Sequence, residues 1–312
     1  MLDYHLHLWP HSINETTLDL DQIAAYCEHA RSLGVVEVAL TEHLHRFVQA
    51  DQLLGKFWRE SSESARLQDS MANYWEYHAR SDLDAYVDCA LEAKRAGLPV
   101  VVGLEVDYYR GKMDKVGELL EGYPFDVLLG SVHWIGAWRF DDLGDEASMD
   151  EWSVREIDSC WDAYTEAIEE LSASGTCDVL AHPDLIKVAG YRPNAPEEWW
   201  DRISEAAATS NMAAELSSAG WRKPAGEQYP AHPLLERFIK RGVALTTASD
   251  AHNLERVADR VDDLRLILES LHVDELVGYR NRLAYRVPVS KAGGSELDRL
   301  DGSELDRTQI EF

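Results

Sequence analysis

Seven short β-rich runs, separated by amphipathic stretches, constrain this chain more than any other feature. The runs are Leu2–His5, Val35–Leu40, Val100–Leu104, Val127–Gly130, Asp178–Ala181, Met212–Leu216 and Val243–Thr247. Between them, spacing predicts helices over Asp19–Leu33, Asp82–Ala96, Gly111–Tyr123, Trp152–Ser172, Pro196–Ser210, Pro233–Arg241 and Leu254–Leu271. Gly34, Gly97 and Gly242 stop three of these helices. Strand–helix alternation of this kind argues an α/β fold with a parallel sheet covered by helices. There is no glycine-rich dinucleotide loop, so a TIM-like barrel, closed or distorted, is favoured over an open doubly wound sheet.

Two segments depart from the alternation. The connection 45–81 far exceeds the usual βα loop of about 2–6 residues. It carries six aromatics: Phe47, Phe57, Trp58, Tyr74, Trp75 and Tyr77. It reads either as a lid over the catalytic end or as a small helical insertion packing its own aromatics. Beyond Val289 the chain is polar and glycine-punctuated, and the hexamer GSELDR occurs twice, at 294–299 and 302–307. Residues 290–312 are therefore expected to form a flexible tail, leaving 1–289 as the catalytic unit.

The candidate chemistry lies where the runs end. The first run leads into His5-Leu6-His7, with His11 beyond. Side chains alternate along a strand, so His5 and His7 share a face. The second run leads into His43, the third into Glu105, the fourth into His133, the fifth into His182 and the seventh into Asp250 and His252. All of these fall at carboxyl ends of strands, where barrel enzymes assemble their sites. Seven of the 12 histidines sit at such ends. The other five, His29, His45, His78, His232 and His272, read as structural or surface residues, with His45 and His78 the exceptions to watch because they lie in 45–81.

A catalytic ion usually takes three or four protein ligands, leaving room for water or substrate. Nine candidates therefore suit two or three divalent ions. Glu105 is the natural bridge, since a carboxylate has two oxygens. Such ions gather phosphate oxygens, activate water and offset charge on a leaving oxygen. They also reconcile an anionic substrate with a chain of net charge −27. That charge disfavours nucleic acid and anionic membranes as partners. Cys27, Cys89, Cys160 and Cys177 show no CxxC spacing, which points to free thiols and a reducing compartment. No leader pattern or long apolar run is visible, so a cytoplasmic protein is expected.

The stretches DYHLHLWPH, LTEH, GLEVDY, GSVHWI, DVLAHPDLIK and SDAH resemble the PHP superfamily, named for polymerase and histidinol phosphatase. Within it, ELSSAGWRKPAGEQYP is similar to the histidinol-phosphate phosphatase branch. The resemblance spans Leu2 to about Pro288. It implies a distorted (β/α)₇ barrel with a trinuclear centre. His5, His7, Glu105 and Asp250 would hold the first ion, Glu105, His133 and His182 the second, and His11, His43 and His252 the third. The gap from His7 to His11 is shorter than in many relatives. Zn, Mn or Fe suits histidine-rich ligation better than Mg does.

The implied reaction is hydrolysis of L-histidinol phosphate, a step of histidine biosynthesis. Glu105, Asp250 and His252 would be the catalytic residues, with Asp250 or His252 supplying a proton to the leaving alkoxide. Arg222 and Lys223, with Lys187 and Arg139 as further candidates, would contact the phosphate. Glu215 and Glu227 either face the substrate's cationic groups or pair with neighbouring bases. The alternatives are another small ester, such as a nucleotide or sugar phosphate, or a metal-binding module without turnover. The oligomeric state is left open.

Overall fold

The eight residues Val100–Asp107 are all buried, and three successive valines open them. Such a run suits a strand covered on both faces, which is the environment of a parallel sheet. The computed structural model describes residues 1–11 and 17–289 and places this strand in a seven-stranded sheet. The strands follow chain order: β1 (Leu2–Leu6), β2 (Glu37–Leu40), β3 (Val100–Asp107), β4 (Val127–Ser131), β5 (Val179–Leu180), β6 (Ala213–Ser217) and β7 (Leu245–Ala248). All six ladders are parallel.

The first and last strands meet. His7 N donates to Ala251 O at 2.7 Å, Asp250 N to His5 O at 2.8 Å, and Thr247 Oγ1 to Leu2 O at 2.7 Å. The sheet is thus a nearly closed barrel, as the alternation predicts. Closure matters for function, because it carries the ends of β1 and β7 to the same rim.

The helices are α1 (Leu20–Ser32), α2 (Val48–Leu54), α3 (Ala65–His78), α4 (Leu83–Arg95), α5 (Met113–Leu120), α6 (Glu146–Glu151), α7 (Ile157–Ala173), α8 (Glu197–Thr209), α9 (His232–Lys240) and α10 (Val261–Ser270). Asp19 and Asp82 cap α1 and α4 by accepting from the backbone N of Asp21 and Asp84. Two helices begin later than spacing predicts. Trp152 closes the short α6, so α7 starts only at Ile157. Leu254–Arg256 is one 3₁₀ turn, and Ala258 and Arg260 adopt left-handed φ of 56° and 57°, so α10 cannot start before Val261.

The segment 45–81 contains α2, a 3₁₀ turn at Phe57–Glu60, and α3. Phe57, Trp58 and Trp75 are buried; Phe57 packs edge to face on Trp58, Trp75 and Tyr109, and Trp75 does so on Trp134.

One element was not expected. After α10, β8 (Glu275–Arg280) and β9 (Leu283–Pro288) form an antiparallel hairpin. Asn281 and Arg282 turn it with φ of 49° and 66°, the handedness that two-residue hairpins favour. The hairpin packs at the amino ends of the barrel strands. Tyr279 N donates to Tyr4 Oη, Asn281 N to Asp126 Oδ1, and the Arg282 guanidinium pairs with Asp178. Residues 290–312, the expected tail, lie outside the described residues. Among the described residues, no helix is long and apolar enough to cross a membrane.

Candidate metal centre

Glu105 lies mid-strand in β3, fully buried, with its carboxylate inside the barrel. Its two oxygens face different imidazoles. Oε2 lies 2.6 Å from His43 Nδ1, 3.2 Å from His5 Nε2 and 3.6 Å from His7 Nε2. Oε1 lies 3.0 Å from His182 Nε2 and 3.3 Å from His133 Nε2. Asp250 Oδ1 completes the first side, 3.5 Å from His7 Nε2 and 3.9 Å from His5 Nε2. A single carboxylate thus stands between two sets of nitrogen donors.

The ligand-type atoms of His5, His7 and Asp250 lie within 4.8 Å of one another, and the same holds for His5, Glu105 and His182 and for His7, His43 and His252. The grouping around His43 and His252 takes in His7, where the sequence suggested His11. His11 stacks on the His252 ring at 4.0 Å, with His43 further off at 6.4 Å between centroids.

The residues pass a simple test for metal binding. His5 Nε2, both nitrogens of His7, His43 Nδ1, Glu105 Oε2 and His252 Nε2 are buried and make no hydrogen bond. Buried polar atoms left unpaired in this way are costly, and a cation offsets that cost. Their convergence makes the cluster a metal-binding constellation.

Backbone geometry supports a functional role. His182 and Asp250 have φ of 28° and 51°, where non-glycine residues are uncommon. Strain of this kind persists only where surrounding structure holds it, and it concentrates at functional sites.

A layer of carboxylates lies behind the histidines. Glu215 on β6 accepts from His5 Nδ1 at 2.8 Å. Asp107 on β3 pairs with His133 Nδ1 at 2.6 Å and with His45 Nδ1 at 3.1 Å. Glu42 lies 3.5 Å from His7 Nδ1 and accepts from Trp9 N. Such partners fix which ring nitrogen is free to ligate. They also set the charge. Burial disfavours protonation of His5, but Glu215 and Glu105 outweigh it and hold that imidazole well above its ordinary range. His133 is raised against burial by Glu105 and Asp107. Burial drives His43 the other way, well below. Glu105 is held well below the usual carboxylate range against burial, by His43, His5 and His133.

Above the cluster opens a cavity of about 230 Å³. His11, His43, His133, His182, Asp250 and His252 line its floor, and Arg222, Lys223, Asp141, Tyr229, Asn253 and Arg256 its polar wall. Arg222 is tied down: Nη1 donates to Asp259 Oδ2 at 2.9 Å, and Nη2 to Ser249 O at 2.8 Å and Asp250 O at 3.1 Å. A guanidinium carries five N–H donors, so these contacts leave capacity for a ligand. The tight turn before Arg222 needs Gly220, where a Cβ would stand 2.1 Å from Glu227 O.

Two of the expected phosphate contacts have other partners here. Lys187 is buried, does not line the cavity, and is engaged by Asp184 Oδ2 at 2.8 Å, Gln228 O at 2.9 Å and Glu227 Oε1 at 3.1 Å. Arg139 lies over the Tyr74 ring, paired with Asp142 and Asp145 and donating to Ser70 Oγ. The two glutamates left open also have partners. Glu215 pairs with His5, and Glu227 with Lys187 and Arg192.

Sequence reasoning missed Asp107, Glu42 and Asp141. Asp107 was findable, because it lies two residues after Glu105 and so shares its strand face. Asp141 carries no such signal, since it sits in a loop. Its carboxyl is pushed up from the usual range by burial first and by Asp142, with His133 and Lys223 opposing.

Comparison with known proteins now decides the family. The PHP domain profile matches residues 3–219. The chain belongs to the PHP domain family. Among the PHP relatives, the Deinococcus radiodurans protein named "Probable histidinol-phosphatase" is 33% identical over 181 residues, which is 56% of this chain and 68% of that one. The histidinol phosphate phosphatase of Lactococcus lactis, solved with zinc, L-histidinol and phosphate, superposes with a TM-score of 0.66 at 20% identity. That match covers 91% of this chain and 98% of the other, and it shows that the two share the PHP barrel.

Proposed function

We propose that this PHP chain is a metal-dependent phosphomonoesterase that hydrolyses L-histidinol phosphate to L-histidinol and phosphate. The observation that carries the reading is Glu105. Its oxygens face two separate histidine sets beneath a cavity walled by Arg222 and Lys223. The named relatives supply the substrate.

His5, His7, Glu105 and Asp250 would hold one ion, and Glu105, His133 and His182 a second. His43 and His252, with His7 or His11, would hold a third. Two or three bound Zn, Mn or Fe ions would supply positive charge for the phosphate and lower the pKa of water. Asp107 and Glu215 keep the ring nitrogens of His133 and His5 correctly aimed. Arg222 and Lys223 bind the phosphate oxygens, and Arg222 is preorganised for this by its bonds to Asp259 and the 249–250 backbone. Asp250 or His252 passes a proton to the leaving alkoxide.

Residues 1–289 act as one catalytic unit. The packed aromatics of 45–81 support a fixed wall beside His45 over a moving lid. Free thiols at all four cysteines fit a reducing cytoplasm.

The test is phosphate release by protein purified with Mn or Zn. Histidinol phosphate should be turned over in preference to nucleotide and sugar phosphates. Turnover of another ester with none of histidinol phosphate would reject the substrate and keep the reaction class.

A further inference from the structure

The cavity above the metal centre sorts its chemistry by strand. The loop after β6 contributes the cations Arg222 and Lys223. The loop after β5 contributes Leu185 and Val188, an apolar stretch. The loop after β4 contributes one carboxylate, Asp141. Asp141 and Asp250 are the two carboxylates that line this cavity, and Asp250 belongs to the metal cluster.

Every other carboxylate nearby is committed. Glu105, Asp107, Glu42 and Glu215 face imidazoles. Asp184 and Glu227 hold Lys187, and Asp259 holds Arg222. The Asp141 side chain makes no hydrogen bond or ion pair with any described residue, and its ligand-type oxygens belong to none of the metal groupings. A carboxylate in a confined pocket without a hydrogen-bond or ion-pair partner is unfavourable, and Asp142 next in the chain adds repulsion that the more distant His133 and Lys223 only partly offset. A phosphate would only be repelled there. A cation delivered by the ligand would be stabilised.

We propose that Asp141 is the specificity-determining residue that binds the substrate's ammonium group, in the cavity it shares with Arg222 and Lys223. The assignment rests on the phosphomonoesterase reading of the site. It makes recognition two-pointed: phosphate toward the metals and the β6 cations, amine toward the β4 loop, carbon skeleton along Leu185 and Val188. The class of substrate selected is then an amino-alkyl phosphate, and neutral sugar phosphates are disfavoured for want of a cation.

The test compares two matched ester pairs on metal-loaded protein. One pair is histidinol phosphate and its analogue lacking the amine. The other is 2-aminoethyl phosphate and ethyl phosphate. The native protein should prefer the amine member of each pair in kcat/KM. In Asp141→Asn that preference should shrink about 10-fold or more, chiefly through KM, because one partner of a confined charge pair is gone. Asp141→Glu should restore part of it. Metal content and the unfolding midpoint of each variant show that the fold is kept.

Equal losses on both members of each pair would mean that Asp141 only balances Lys223 or supports its loop, and would overturn the assignment. So would a native protein indifferent to the amine. If the native protein ignores histidinol phosphate yet favours 2-aminoethyl over ethyl phosphate, the substrate named above falls. Asp141 is then judged on the second pair alone.

Discussion

At the scale of single residues, the site is a set of imidazoles whose roles depend on the carboxylates around them. Glu105→Gln should lower phosphate release by about 100-fold or more, because the amide keeps only one neutral oxygen and puts a non-ligating NH2 in place of the other. Circular dichroism should show the fold intact. Asp107→Asn and Glu215→Gln should each cost about 10–100-fold in metal affinity or activity, the usual effect of removing a carboxylate behind a ligating histidine. Metal titration checks this, and unchanged affinity in both would remove their orienting role. The convergence of His5, His7, His43, Glu105, His182, Asp250 and His252 was legible from the sequence because strand ends announce themselves as apolar runs that stop. The carboxylates behind them were harder to see. Nothing in the local pattern says that Glu215 meets His5, 210 residues away, until the barrel closes. Lys187 shows the converse: a lysine just past a strand end reads as a phosphate contact, and only the fold shows that Asp184, three residues earlier, pairs with it.

At the scale of elements, the seven strands and most helices follow from periodicity, whereas the hairpin β8–β9 does not. In its run Glu275–Pro288 the apolar residues are interrupted by Arg280, Arg282 and Arg286, and it is held by pairing with the barrel floor. Glu37 on β2 anchors it, accepting from Tyr285 Oη at 2.5 Å and contacting Tyr4 and Arg280. Glu37→Ala leaves those three groups without their acceptor and should destabilise the fold by about 2–4 kcal/mol, read from urea unfolding. Phosphate release per folded molecule should hold, since the hairpin lies at the opposite end from the site. Gly220→Ala acts at the other rim. Its methyl must displace Glu227 O, moving the turn that carries Arg222 and Lys223. We expect a loss of about 1–3 kcal/mol together with a raised KM. A raised KM without loss of stability would mean that the turn relaxes freely.

At the scale of the whole molecule, the net charge of −27 opposes binding of any phosphate ester, and the cluster of imidazoles and carboxylates is where cations reverse that field locally. Ions that bind the folded barrel and not the unfolded chain also stabilise it, by about 2.7 kcal/mol at a hundred times their Kd. Chelation should therefore lower the unfolding midpoint as well as stop turnover, and calorimetry with and without chelator checks both the sign and the size. The most direct measurement is to strip the protein of metal and titrate Mn or Zn back while following phosphate released from L-histidinol phosphate. The account predicts no release without metal and a rise to a plateau as two or three ions bind per chain. Full release from metal-free protein, or none from protein carrying its full complement of ions, would contradict it.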